Sequence, residues 1–166
     1  MIKRFVTLFS SFLFFIISLN APENPYFKIE FETYFGYYLQ RREELRNSEF
    51  DFNGFQEYLR LRNVPNRKIV ATQAILETGL FTSPIFYENN NLFGMKEPRV
   101  RKTTAIGSNR GHATYDNWVD SVDDYILWYN YVTRNRVYTD YLDFLVYIGY
   151  AEDPYYLSKL LLLKET

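Results

Sequence analysis

A chain of 166 residues with 47% apolar side chains is one domain's worth of polypeptide, enough to bury a real core. Its 19 basic and 20 acidic residues nearly cancel to a formal charge of −1, so the basic surplus of a nucleic-acid binder is missing. There is no cysteine and a single histidine, His112, which excludes a disulfide scaffold, a lipid-modified N-terminal cysteine, a cysteine nucleophile and a zinc cluster. Neither a metal nor a cofactor is called for. The 16 Tyr, 15 Phe and 2 Trp chiefly fill a core, although flat faces with polar tips also suit sugar rings.

The N-terminus reads as a targeting segment. Lys3-Arg4 precedes an uncharged run from Phe5 to Leu19, then Asn20-Ala21-Pro22. That run fits the apolar core of a signal peptide and is short of the ~20 residues a spanning helix needs. Within Leu19-Asn20-Ala21 only Ala21 is of the small type that cleavage favours, so removal and retention as an anchor both fit. The expectation is an exported protein, periplasmic or extracellular, that touches a membrane only through residues 1–21. Without Lys3 and Arg4, 17 basic side chains remain against 20 acidic, a formal −3.

The remainder divides into a linker and helix over 22–52 and a principal domain over 53–166. Phe27, Phe31, Tyr34, Phe35 and Tyr38 recur at helical spacing and run into Arg41-Arg42-Glu43-Glu44. A second helix spans about Asn53 to Arg62, with Phe55, Tyr58 and Leu59 on one face. Val64-Pro65-Asn66 breaks it and launches a third helix through Ile69–Leu80. Ser83-Pro84 stops that helix, and Glu88 to Lys96 reads as a compact polar loop. Arg99–Gly107 and His112–Tyr115 flank Ser108-Asn109-Arg110-Gly111 as a β-hairpin, with Val100, Thr103, Thr104 and Ile106 supporting strand. A helix follows from Asn117, capped by Asn117 with Asp120. Another runs from Tyr138 to Ile148, closed by Gly149. A last helix starts after Asp153-Pro154 and ends near Lys164. The expected fold class is α+β, predominantly α-helical, with one small hairpin lobe.

The chemistry centres on Glu77. On the third helix Val70, Ala74 and Glu77 fall in one row, beside Ile69, Gln73, Leu76 and Leu80, so a carboxylate projects from the apolar arc. Gly79 places it about a turn from the helix end. Desolvation there raises a glutamic acid's pKa and keeps it protonated closer to neutrality, as a general acid requires. The plainer alternative is a glutamate at a cleft edge or paired with Arg or Lys. A serine–histidine site would have to use His112 beside the hairpin turn, and the seven glycines show no phosphate-cradling spacing. Arg99-Val100-Arg101-Lys102 reads as a solvated hairpin edge. Acid–base chemistry by carboxylates remains; glycoside cleavage, one form of it, needs a protonated acid beside the leaving oxygen and a group that stabilises or traps the oxocarbenium-like sugar. Asn90 and Asn91 would hydrogen-bond acetamido and hydroxyl groups of a sugar, or else merely take left-handed turn conformations.

Ala71-Thr72-Gln73-Ala74-Ile75-Leu76-Glu77-Thr78-Gly79 followed by Asn90-Asn91-Leu92-Phe93-Gly94-Met95-Lys96 resembles the glucosaminidase family of bacterial cell-wall hydrolases. Tyr115-Asp116-Asn117-Trp118, the run Asp120 to Tyr125, and Gly149-Tyr150-Ala151-Glu152-Asp153-Pro154-Tyr155-Tyr156 match in order, so the likeness spans about Gly54 to Leu162. The resemblance implies a lysozyme-like helical body with a hairpin lobe across a cleft. It implies hydrolysis of the β-1,4 bond after N-acetylglucosamine in peptidoglycan by a monomer. It makes Glu77 the general acid and Tyr115 a catalytic tyrosine lining the cleft. Asn90, Asn91, Phe93, Trp118 and Tyr150 become substrate-binding, with packing the other role open to Tyr150.

The chain departs from the family at one important place. Many members carry a second acid on the hairpin lobe, and no Asp or Glu occurs here from Pro98 to Tyr115. Glu97 and Asp116 flank the hairpin and Glu88 precedes it, none at the expected position. Ala113 also replaces the arginine usual two residues before the tyrosine. The second role therefore falls to the substrate's acetamido group or to a flanking acid. The alternative is a catalytically impaired module that binds peptidoglycan without turnover.

Overall fold

The computed structural model describes residues 25–164, and the targeting segment expected over 1–21 lies outside them. The described residues before Glu44 form one compact unit and those from Glu44 onward another. The boundary cuts helix α1 (Pro25–Arg46) near its end, which confirms the helical spacing read there. Within the first unit Tyr34 and Tyr37 are exposed.

The second unit is helical with one hairpin. Its elements are α2 (Phe52–Leu61), α3 (Arg67–Glu77), α4 (Pro84–Asn89), β1 (Gly107–Asn109), β2 (His112–Thr114), α5 (Trp118–Thr133), α6 (Tyr141–Tyr147) and α7 (Tyr156–Lys164). The predominantly α-helical α+β class expected from the sequence is therefore the one observed. Asp51 starts α2 by accepting hydrogen bonds from the Asn53 and Gly54 amides, and Phe55, Tyr58 and Leu59 bury the face their spacing defines. Val70 and Ala74 bury the adjoining face of α3, which packs between α2 and α7. Val119, Val122 and Tyr125 of α5 complete the same core.

Three boundaries differ from expectation. Ser83-Pro84 starts a helix as well as ending one. The Ser83 hydroxyl accepts from the Phe86 amide and Pro84 sits in the first turn, where its missing N–H is not needed. The hairpin is shorter than read: Gly107 pairs with Thr114, Ser108 with Ala113 and Asn109 with His112. Its two-residue turn, Arg110-Gly111, has φ of +52° and +77°, the primed geometry that matches strand twist. Residues 99–106 are not strand, despite their β-branched content. Side chains fasten them instead, with the Thr104 hydroxyl donating to the Asp120 carbonyl and Arg101 reaching Asp124. Finally, α6 begins at Tyr141 because Asp140 caps it, accepting from the Leu142 and Asp143 amides. Tyr138 lies outside that helix and stacks on Phe144.

Among the described residues no helix is long and apolar enough to cross a membrane.

Candidate active site

Glu77 is the last residue of α3, closer to the helix end than its spacing suggested. Thr78 caps the helix, its hydroxyl donating to the Ala74 carbonyl at 2.6 Å, and Gly79 turns the chain away at φ +56°. The Glu77 carboxyl thus stands beside the negative pole of its own helix. It is half-buried. Burial raises its pKa above the ordinary value of 4.5, against an opposing pull from the Tyr156 hydroxyl and the charge of His112.

The carboxyl opens into a cleft of about 1270 Å³. The floor is Phe93-Gly94-Met95, one wall carries Trp128, Tyr131 and Val132 of α5, and the other carries Tyr147 to Asp153 and Tyr156. Gly94 takes φ +61°, and a Cβ built on it would lie 3.1 Å from Glu77 Oε2. Backbone therefore packs where a side chain would displace the acid. Tyr150 stands edge-on to Trp128 at 5.2 Å, and its hydroxyl donates to the Phe93 carbonyl at 3.3 Å, tying the tail segment to the cleft floor. Aromatic faces beside a desolvated acid provide sugar-stacking surface and a proton donor in one place.

Of the residues singled out from the sequence, Glu77, Phe93 and Tyr150 line this cleft and the other four lie elsewhere. Asn91 is 1% exposed and committed to its own loop and to the hairpin strand β2. Its Nδ2 donates to the Met95 and Ala113 carbonyls, and its Oδ1 accepts from the Phe93 and Met95 amides. Asn90, at φ +53°, donates to the Tyr115 and Asp116 carbonyls and lines a separate groove. Trp118 packs edge-on against Phe50 and Tyr58 and borders that groove as well. Tyr115 is 2% exposed and donates to Asp124 Oδ2 at 2.9 Å, so it is a core residue and does not line the cleft. Burial, then the Asp124 charge, pushes its hydroxyl far above the ordinary tyrosine range.

The Asn-rich loop is thus a clamp on the hairpin. Asn89 completes it, donating to the Asn109 and His112 carbonyls while its backbone carbonyl accepts from the Tyr115 amide. Sequence reading left Asn90 and Asn91 open between a ligand and a turn, because an asparagine that binds a sugar and one that binds a neighbouring turn look alike in sequence.

Two further features were missed. Arg101, taken for a solvated edge, forms a two-pronged ion pair with Asp124 at 2.7 and 2.8 Å, with side-chain exposures of 7% and 0%. Burial works to raise the Asp124 carboxyl, but Arg101, Thr103 and Tyr115 outweigh it and hold that carboxyl below its ordinary value. Asp120 and Asp123 of the same helix pair with Arg46 and Arg62, so α5 anchors three arginines from three other segments. The triad of aspartates at i, i+3 and i+4 was the available signal for this. The second feature is Gln73, fully buried beside Tyr125, Tyr141 and Tyr156.

The flanking acids separate clearly. Glu97 and Glu152 line the cleft with Glu77. Glu88 is paired with Arg110 at 2.8 Å on the surface, and Asp116 borders the other groove.

The described domain is thus a helical body with a small hairpin and a half-buried acid in an aromatic-walled cleft. Residues 53–166 match the family model for Glucosaminidase, described as mannosyl-glycoprotein endo-beta-N-acetylglucosaminidase, and the chain belongs to that family. A 58-residue stretch is 41% identical to Protein bax of Escherichia coli strain K12, covering 35% of this chain and 21% of that protein. The chain thus spans about a fifth of the length of this curated relative. No solved structure matches it.

Proposed function

We propose that the protein is an exported peptidoglycan hydrolase that cleaves the β-1,4 bond after N-acetylglucosamine, with Glu77 as general acid. The observation that carries this reading is the Glu77 carboxyl itself, its pKa raised by burial where it opens into a cleft lined by Phe93, Trp128 and Tyr150. Glu77 gives its proton to the glycosidic oxygen as the C1–O bond breaks. The acetamido carbonyl oxygen of the sugar at the cleavage point then closes on C1, and the leaving chain departs as an alcohol. Water opens the resulting oxazolinium ring, losing its proton to the Glu77 carboxylate and restoring the acid. This route needs no acid on the hairpin. It leaves Glu97 and Glu152, two further carboxylates that line the same cleft, to orient the acetamido group or the water.

The full chain should release fragments from purified sacculi, and Glu77→Gln should abolish release while keeping the fold. Mass spectrometry of the fragments identifies the new reducing sugar and hence the bond cut. N-acetylglucosamine at the reducing end supports the reading, and N-acetylmuramic acid there contradicts it. The second reading, a binding module without turnover, draws on the acid-free hairpin. Sacculus binding without new reducing ends would favour it.

A further inference from the structure

The hairpin carries no acid, but it brings His112, the single histidine of the chain, into the cleft. Backbone bonds set its place. The Ala113 amide donates to the Met95 carbonyl at 2.8 Å, and Asn91 Nδ2 donates to the Met95 and Ala113 carbonyls at 2.9 Å each, so β2 is stitched to the cleft floor. Met95 follows Gly94, whose Cβ position lies 3.1 Å from Glu77 Oε2. The Cα path from Gly94 to His112 is thus about 13 Å at most, short enough for one N-acetylated sugar residue to lie between Glu77 and His112. Ala113 is 0% exposed and faces the core, and strand alternation turns His112 the other way, where it lines the cleft together with Glu77.

The ring is anchored by one edge only. Its Nδ1 lies 3.0 Å from the Arg110 carbonyl oxygen at the hairpin turn. A carbonyl oxygen can only accept, so Nδ1 carries the hydrogen and the neutral ring keeps a lone pair at Nε2. That Nε2 has no hydrogen-bond partner among the described residues. His112 is half-buried, whereas Glu97 and Glu152 of the same cleft are exposed, where water competes for their oxygens. A positioned, partly desolvated acceptor therefore stands on the lobe that lacks a carboxylate.

We propose that His112 is the second catalytic residue of the cleft: its Nε2 lone pair accepts the acetamido N–H of the sugar at the cleavage point and aims the acetamido oxygen at C1. This rests on the substrate-assisted reading of the reaction given above. As the C1–O bond breaks with the Glu77 proton passing to the departing oxygen, the acetamido oxygen bonds C1 and positive charge spreads onto the acetamido nitrogen. The hydrogen stays on that nitrogen throughout, and its bond to Nε2 strengthens as the charge grows. When water opens the ring, the acetamide becomes neutral again and the bond returns to ordinary strength. An interaction that is stronger in the transition state than in the bound substrate raises kcat and leaves KM nearly unchanged. Glu97 and Glu152 are then left to the water.

Two variants of the full chain separate this role from mere support of the hairpin. His112→Leu removes the acceptor and should lower kcat on sacculi roughly hundredfold with little change in KM. His112→Gln keeps an acceptor oxygen near the Nε2 position and should recover roughly tenfold of that loss. A leucine variant as active as the wild type, or a glutamine variant no better than leucine, would overturn the proposal. The second readout needs no change at His112. As the single histidine, it supplies the only imidazole signals in nitrogen-15 NMR of the chain. In full-length Glu77→Gln, which leaves the probe intact, the neutral ring should carry its hydrogen on Nδ1. Its Nε2 signal should shift on adding a β-1,4-linked N-acetylglucosamine tetrasaccharide and stay in place on adding the de-N-acetylated sugar. Hydrogen on Nε2, no response to the tetrasaccharide, or an equal response to both sugars would each sink the assignment. A wild type that gives the expected shift but releases nothing from sacculi defeats the general-acid reading and leaves the His112 contact standing.

Discussion

Gly94 and Glu77 touch across the cleft floor, with no room between them for a methyl group: a Cβ on Gly94 would meet Glu77 Oε2 at 3.1 Å. The same glycine holds φ +61°, a conformation that disfavours any side chain. Gly94→Ala should therefore lower stability by ~1–2 kcal/mol through backbone strain. It should also lower kcat/KM by roughly tenfold or more, because the carboxyl must shift by a few tenths of an ångström. Denaturant unfolding and sacculus hydrolysis measured together check both. A stability loss with unchanged turnover would mean that the contact does not set the position of the acid.

Asn91 and Asn90 should behave differently although they adjoin. Asn91→Ala leaves the Phe93 and Met95 amides without a buried acceptor and the loop beneath Glu77 unsupported. A loss on the order of 2–4 kcal/mol is expected, with turnover falling because the cleft floor loosens. Asn90→Ala removes two bonds at the partly exposed rim of the other groove, with an expected cost of about 1 kcal/mol or less. Equal stability losses, or a substrate-affinity loss confined to Asn90→Ala, would contradict the clamp assignment.

What could be read in the sequence was what depends on local period. Phe55, Tyr58 and Leu59 at helical spacing gave the buried face of α2, and the row of Val70, Ala74 and Glu77 singled out a carboxyl that lines the cleft. The placement of Glu77 at the helix terminus was less legible, because Gly79 marks where the chain turns and not where helical bonding stops. Tyr115 was misplaced for another reason: its partners Asp124 and Arg101 come from different segments and meet only in the folded chain. The stretch 99–106 showed the same limit. Its β-branched residues satisfy a strand pattern, but Arg101 and Thr104 hold it to α5 through side chains, which no periodicity encodes.

The raised pKa of Glu77 makes a signed prediction for stability. The unfolded carboxyl ionises near 4.5, while the folded one holds its proton to higher pH. The folded state therefore binds more protons between the two values, and stability falls as pH rises through that window. Glu77→Gln removes the penalty. Its melting temperature should match the wild type below pH 4.5 and exceed it at neutral pH. A variant that is less stable than the wild type at neutral pH would show that the ionised carboxylate is held by favourable contacts and not strained by burial.

The Arg101–Asp124 pair should show the opposite dependence. Asp124 is held below its ordinary value of 3.8, so its contribution is present above that value and disappears as pH falls through the folded one. Arg101→Met leaves a carboxylate with 0% side-chain exposure facing its lost partner, for an expected ~3–5 kcal/mol at neutral pH. In strong acid, where Asp124 is protonated in either protein, the gap should narrow. Tyr115→Phe removes one hydrogen bond to the same carboxylate, costing ~1–2 kcal/mol, and should leave kcat near the wild-type value because the hydroxyl does not reach the cleft. Guanidinium unfolding across pH, paired with initial rates on sacculi, separates these effects. A large fall in kcat for Tyr115→Phe at full stability would return that tyrosine to the catalytic machinery.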